Sequence, residues 1–264
     1  MRVRSVDINE PKLRSASKTT QVYPLNKFPS NFAPRLAEEL TIHLASRSMA
    51  SDGAAVDLEG KDWERIFASA IGAEWKPSNI GLDDIRHSKT STAWGAKTVK
   101  GKPFGLKKKG SVHKVRLISG RNSPIYSYDQ PIDPSASNPN ELGGMILKIW
   151  NTRVREVRTE FENLRTVVLI KSDDLLSVSV FETLTVMYPE DEYQWIRNKK
   201  GNLEGRDKND THRFTWQPHG SQFTIIEEVP EDALKIQMKK PKPISRAMIL
   251  REAGFDSHSY AVVS

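Results

Sequence analysis

Asp83 and Asp84 stand together in Asn79-Ile80-Gly81-Leu82-Asp83-Asp84-Ile85. A polar run, His87 to Ser91, follows, and then Ala93-Trp94-Gly95-Ala96-Lys97-Thr98-Val99-Lys100. The order is a carboxylate pair, a turn, and a lysine set among apolar residues. If Leu82 to Arg86 and Thr92 to Val99 are adjacent strands, groups on them come within a few ångströms of each other. Phosphodiester hydrolysis uses such a set. Carboxylates hold Mg2+, which polarises a phosphate and lowers the pKa of a bound water. A lysine beside them orients or deprotonates that water and offsets the charge building on the phosphate.

Other elements must hold these residues in place. Leu36, Leu40 and Leu44 recur every four residues, so a helix is expected from Ser30 or Asn31 to about Ser48, with Pro34 in its first turn. Trp63, Ile66, Phe67 and Ala70 share a face of a second helix over 61–71, which Gly72 ends. Val112 to Ile118 alternates as a strand, and 119–140 is loop. An apolar stripe from Leu142 through Ile146, Trp150 and Val157 to Phe161 predicts a long helix from Asn140 to Arg165. Thr166–Ile170, Ser177–Leu184, Tyr193–Arg197, Arg213–Gln217 and Gln222–Glu227 follow as strands. A Lys- and Pro-rich tail after Val229 becomes briefly helical. The fold class is α/β, with a mixed central sheet flanked by helices and a strand-rich C-terminal half. Residues 1–30 form an irregular arm and 31–264 a single unit.

A helix carrying Glu, a strand carrying Asp, and a second strand carrying (D/E)-x-K resembles the PD-(D/E)XK nucleases, which include most type II restriction enzymes. Glu64 stands on the helix in Asp62-Trp63-Glu64-Arg65-Ile66-Phe67, Asp84 (or Asp83) matches the strand acid, and Lys97 matches the motif lysine. The resemblance spans about residues 60 to 100. It implies a Mg2+-dependent, site-specific DNA endonuclease of the restriction-modification type. Asp84, Lys97 and Glu64 would be catalytic, with Asp84, Asp83 and Glu64 as metal ligands. One position departs from the pattern: the acid two residues before the lysine is Gly95. Either the acid has moved, to Glu64, Asp83 or Glu156, or the strand carries a substitution. Gly95 keeps an alternative open, a DNA-binding protein without catalysis, such as a transcription regulator or an inactive nuclease fold.

Charge supports a polyanionic partner. The formal net charge is +7, and Lys97 to Arg121 holds nine Lys or Arg and no acid. Self-repulsion disfavours so long a single-sign stretch unless it meets a polyanion. Lys100, Lys107, Lys108 and Lys109 are therefore expected to grip phosphates. Arg121 and Asn122, after the basic strand, and Gln217, His219 and Gln222, in a Pro/Gly-shaped loop, are expected to read base edges, since Arg pairs with guanine and Asn or Gln with adenine. Arg197 to Asn202 is a lesser candidate that also reads as an ordinary hairpin turn. Double-stranded DNA is the expected partner, and a homodimer fits symmetric cutting. The absence of cysteine excludes disulfides and thiolate chemistry and suits the cytoplasm. No Gly-rich phosphate loop is present, so no nucleotide cofactor is expected. His87-Ser88-Lys89 lacks the Asp that phospholipase-D-like nucleases place after His-x-Lys. No apolar run is long enough to span a membrane.

Overall fold

The computed structural model describes residues 24–50, 56–76, 81–104, 113–119, 124, 133–135, 137–220, 222–242 and 244–255. The N-terminal arm is described from residue 24, and the loop predicted over 119–140 only in part. The basic segment 105–112 lies outside the described residues.

Apolar spacing produces the helices where the sequence places them. Helix α1 (Phe32–Ala50) buries Phe32, Leu36, Leu40 and Leu44. Helix α2 (Gly60–Ile71) buries Trp63, Ile66, Phe67 and Ala70. A capping box between Glu59 and Asp62 starts α2, and Gly72, at φ 69°, closes it in the left-handed conformation. Helix α3 (Pro139–Glu160) is capped by Asn138, whose side chain accepts from the Asn140 N–H. A short helix α4 (Arg246–Glu252) follows the tail.

The helix expected to run to Arg165 ends at Glu160. Phe161 is extended, and β5 (Asn163–Lys171) begins two residues later, every residue buried. Leu164 faces the side of the sheet that carries α3, while Arg165 turns to Glu182 on the other side. That two-residue period is a strand's, and pairing with strands on both sides overrides the helical stripe upstream.

The single central sheet expected from the sequence is, among the described residues, two sheets. The first is mixed and has the order β1 (Glu74–Trp75), β2 (Ile85–His87), β3 (Thr92–Lys100), β5, β6 (Ser177–Leu184), β11 (Leu234–Gln237). β3 and β5 run parallel and the other pairs antiparallel. The second sheet is antiparallel: β4 (Lys114–Ser119), β10 (Gln222–Glu228), β9 (His212–Gln217), β8 (Leu203–Arg206), β7 (Gln194–Arg197). β1, β8 and β11 were not anticipated. They are only two to four residues long, too short for their alternation to stand out in the sequence.

Helices α1 and α2 cover one face of the mixed sheet, packing Phe32, Trp63 and Phe67 against Trp94, Val167 and Val180. On the other face α3 lies between the sheets, with Ile146, Trp150 and Val154 among Ala93, Leu164, Trp216 and Phe223. The chain from residue 24 docks on the mixed sheet: the Asn26 side chain accepts from the Glu182 N–H at 2.6 Å, and the Asn26 N–H donates to the Glu182 carboxylate at 3.1 Å.

Candidate functional site

Strand pairing determines which chemical groups can meet. β2 and β3 are antiparallel, with Ile85 opposite Trp94 and Arg86 opposite Ala93. One step further along this register sets Asp84 across from Gly95. Ile85 and Trp94 share the face that carries α1 and α2. Alternation therefore turns Asp84, Gly95 and Lys97 to the opposite face, toward α3. The strand ladder thus brings Asp84 and Lys97 to one side of the sheet.

Lys97 retains a partial opening to solvent, yet protein crowds its ammonium on nearly every side. Burial is the leading influence and pulls its pKa below the usual lysine value; Asp84 and Glu64 oppose that shift and Arg153 reinforces it. The charges acting on Lys97 are thus two acids from β2's start and α2, and one cation from α3. Asp84 is itself buried, and its carbonyl accepts from the Lys76 N–H at 2.8 Å. Glu64 is half-buried and accepts from the Trp75 indole N–H at 3.0 Å. Arg65 stacks over the same indole at 4.3 Å. β1 therefore fixes the orientation of Glu64. Arg153 reaches the Ser119 hydroxyl at 3.5 Å.

Gly95 has a steric explanation. A Cβ built there would lie 2.8 Å from the Gly81 carbonyl oxygen and 3.2 Å from the Leu82 Cα. The chain entering β2 crosses β3 at this point, and only a hydrogen fits beneath it. The position that carries an acid in the motif is occupied here by backbone.

The remaining candidates are spread more widely. Asp83 is buried; one carboxylate oxygen pairs with Arg86, which also reaches Glu160 at 3.6 Å. The other, Oδ1, has no hydrogen-bond partner among the described residues. Glu156 is exposed on α3. Lys100 is exposed at the far end of β3 and pairs with Asp57 at 3.2 Å. Gln217 and Gln222 sit opposite each other where β9 meets β10, and His219 is exposed in the 3-10 turn between them (Pro218–Gly220). Their segment is a tight hairpin tip. Residues 198–202 form the β7–β8 hairpin, with Gly201 at φ 78°, and Arg197 is held by the carbonyls of Pro134 and Ser137. Lys107, Lys108, Lys109, Arg121 and Asn122 lie outside the described residues. Lys114 and Arg116, beside them in sequence, are exposed on β4.

Three polar groups near Lys97 were not singled out by the sequence: Arg153, Tyr188 and Glu227. The last two share a small cavity with Lys97 between the sheets. Burial raises the Glu227 pKa to about 7, with Arg213 opposing and Glu228 assisting. Burial, assisted by Glu227, holds the Tyr188 hydroxyl well above its ordinary range. Glu227 could have been found from strand parity, because Phe223 and Ile225 face inward and the next residue of that parity is Glu227.

Among the described residues no three His, Asp or Glu side chains converge as a metal-ligating group. The acids whose charge acts on Lys97 are Asp84 and Glu64. Such a pair fits Mg2+, which is commonly held through one or two carboxylates, with waters and substrate phosphates completing its shell. Comparison with protein-family models, with curated proteins and with solved structures finds no match to this chain.

Proposed function

We propose that this chain is a Mg2+-dependent endonuclease acting on double-stranded DNA, with a fold akin to the restriction endonucleases. One observation carries the reading. Two carboxylates, Asp84 and Glu64, act on the crowded ammonium of Lys97 from the start of one strand and from a flanking helix. Helix Glu, strand Asp and strand Lys are the parts the sequence motif names, and both acids act electrostatically on the Lys97 ammonium.

Asp84 and Glu64 would hold the metal, which when bound supplies Lewis-acid activation of the phosphate and of water. The chain's own residues do the remaining work. Lys97, its pKa lowered by burial, can hand over or take up a proton more readily than an exposed lysine and would orient the attacking water. Arg153 adds a positive charge that offsets the charge developing on the phosphate. The Trp75 N–H keeps Glu64 from rotating away. The basic stretch from Lys97 to Arg121 supplies phosphate contacts, and the tip holding Gln217, His219 and Gln222 supplies base contacts. Two copies of the chain would serve symmetric cutting.

Gly95 favours a second reading, a DNA-binding protein without catalysis, because an acid at this position cannot be accommodated without moving the 81–82 backbone. Plasmid cleavage with and without Mg2+ separates the two. Asp84→Ala and Lys97→Ala are expected to abolish Mg2+-dependent cleavage while duplex affinity stays within about tenfold, since their interactions belong to the transition state. Cleavage that survives both substitutions overturns the assignment, and binding without cleavage by the unaltered chain selects the second reading.

A further inference from the structure

The small cavity that Lys97 lines adjoins a much larger cleft. The two share Thr183, Leu184, Tyr188, Ile225 and Glu227. The cleft has a volume of about 710 Å³, within the range of small-molecule sites and ample for one nucleotide. Its walls come from the end of β6, the approach to β7, the β8–β9 turn and β10.

The lining has a definite chemistry. Glu227 presents a half-buried carboxyl to which no described residue donates a hydrogen bond. A ligand that donates to it would form a charge-assisted hydrogen bond in the cleft. Beside it Tyr188 and Tyr193 each pack edge-on to Phe214 at 4.8 Å. Asn151 clamps the Tyr188 backbone from both sides, donating to its carbonyl at 2.7 Å and accepting from its N–H at 2.8 Å. The Tyr188 part of the aromatic wall is thus anchored to α3. Lys208 is exposed in the turn at the margin of the cleft. Arg213 is already paired with Asp207 at 2.7 Å, so Lys208 is the cation available to an incoming phosphate.

We propose that this cleft receives a single nucleotide unit turned out of the duplex, its base against the tyrosines and an exocyclic amino group donating to Glu227. This rests on the nuclease reading above for the source of the nucleotide. A planar face and a donor edge match aromatic rings and an unpaired carboxyl, and the 5′-phosphate would meet Lys208. Adenine, cytosine and guanine carry the required amino group, and thymine does not. Because the cleft and the Lys97 cavity share Tyr188 and Glu227 as a common wall, an extruded base would lie next to the cleavage centre.

The test uses the whole chain and four mononucleotides, dAMP, dCMP, dGMP and dTMP, followed by saturation-transfer NMR. At least one amino-bearing nucleotide should bind in preference to dTMP, and Glu227→Gln should weaken it about tenfold or more. Tyr193→Ala, at a half-buried wall position, gives a second variant should Glu227→Gln misfold, and should weaken binding likewise. Binding of none of the four, dTMP binding as well as the rest, or affinity unchanged in both variants overturns the proposal. Duplex binding and plasmid cleavage are measured in parallel. Cleavage without mononucleotide binding removes the base pocket and leaves the nuclease reading standing. Mononucleotide binding without duplex binding keeps a nucleotide cleft and removes the nuclease reading.

Discussion

Gly95 and Glu227 are the two residues whose surroundings say most that their identities do not. At Gly95 the nearest obstacle is backbone, so even one added carbon forces the 81–82 segment to shift. Gly95→Ala is expected to cost about 1–3 kcal/mol by overpacking, read as a lower midpoint in denaturant unfolding. Gly95→Glu, which writes the full motif, should lose more stability and not raise cleavage. A Gly95→Ala protein as stable as the parent would show that the crossing chain yields freely. Glu227 makes a pH-dependent prediction. Its folded-state pKa of about 7 lies above the ordinary 4.5, so ionisation is disfavoured by folding. Its unfavourable contribution is absent below about pH 4.5, grows as pH rises, and levels off above pH 7. Glu227→Gln should therefore match the parent in acid and exceed it in stability by up to about 3 kcal/mol at pH 8. A difference independent of pH would contradict the assignment.

At the scale of elements, the meander β1–β2–β3 and helix α2 build the candidate centre, and the β9–β10 hairpin builds the candidate reader. Gln217 and Gln222 are register partners at the hairpin's end, so the two amides project from one rigid ladder and not from a pliable loop. A base-edge hydrogen bond exists only on the right base, whereas a phosphate contact persists on any duplex. Gln217→Ala or Gln222→Ala should cost about 1–3 kcal/mol on a selected cognate duplex and much less on a scrambled one. Equal losses on both would move these residues to the phosphate-gripping class. The mixed sheet itself is tied internally: the Arg165 guanidinium donates to Glu182 at 2.9 Å, and the Trp94 indole donates to the same carboxylate at 2.6 Å. This buried network joins β3, β5 and β6 on the face opposite Lys97.

For the whole molecule, the excess of positive charge, +7, is the property that bears most directly on the proposed DNA partner. Replacing Lys107, Lys108 and Lys109 with Ala should weaken binding to all DNA sequences alike. It should also flatten the dependence of affinity on salt by roughly one unit of slope for each phosphate no longer neutralised. An unchanged slope in a salt titration would show that these lysines meet solvent alone. No helix among the described residues is long and apolar enough to cross a membrane.

Much of the local structure was legible in the sequence. The leucine stripe of α1, the aromatic face and Gly72 stop of α2, and the apolar strands β5 and β6 all follow from side-chain spacing, because 3.6-residue and 2-residue periods bury different sets of residues. The order of Glu64, Asp84 and Lys97 along the chain was also legible, as was the elementary chemistry of carboxylates beside a lysine. Spacing along the chain says nothing about which strands become neighbours. Only the tertiary structure decided that β4 and β7 to β10 leave the mixed sheet to form a second one. Only it brought Arg153, Tyr188 and Glu227 toward Lys97 from distant parts of the chain. The reason Gly95 is a glycine is likewise tertiary: the obstacle is the carbonyl of Gly81, fourteen residues earlier, and steric exclusion by a crossing chain leaves no trace in local sequence.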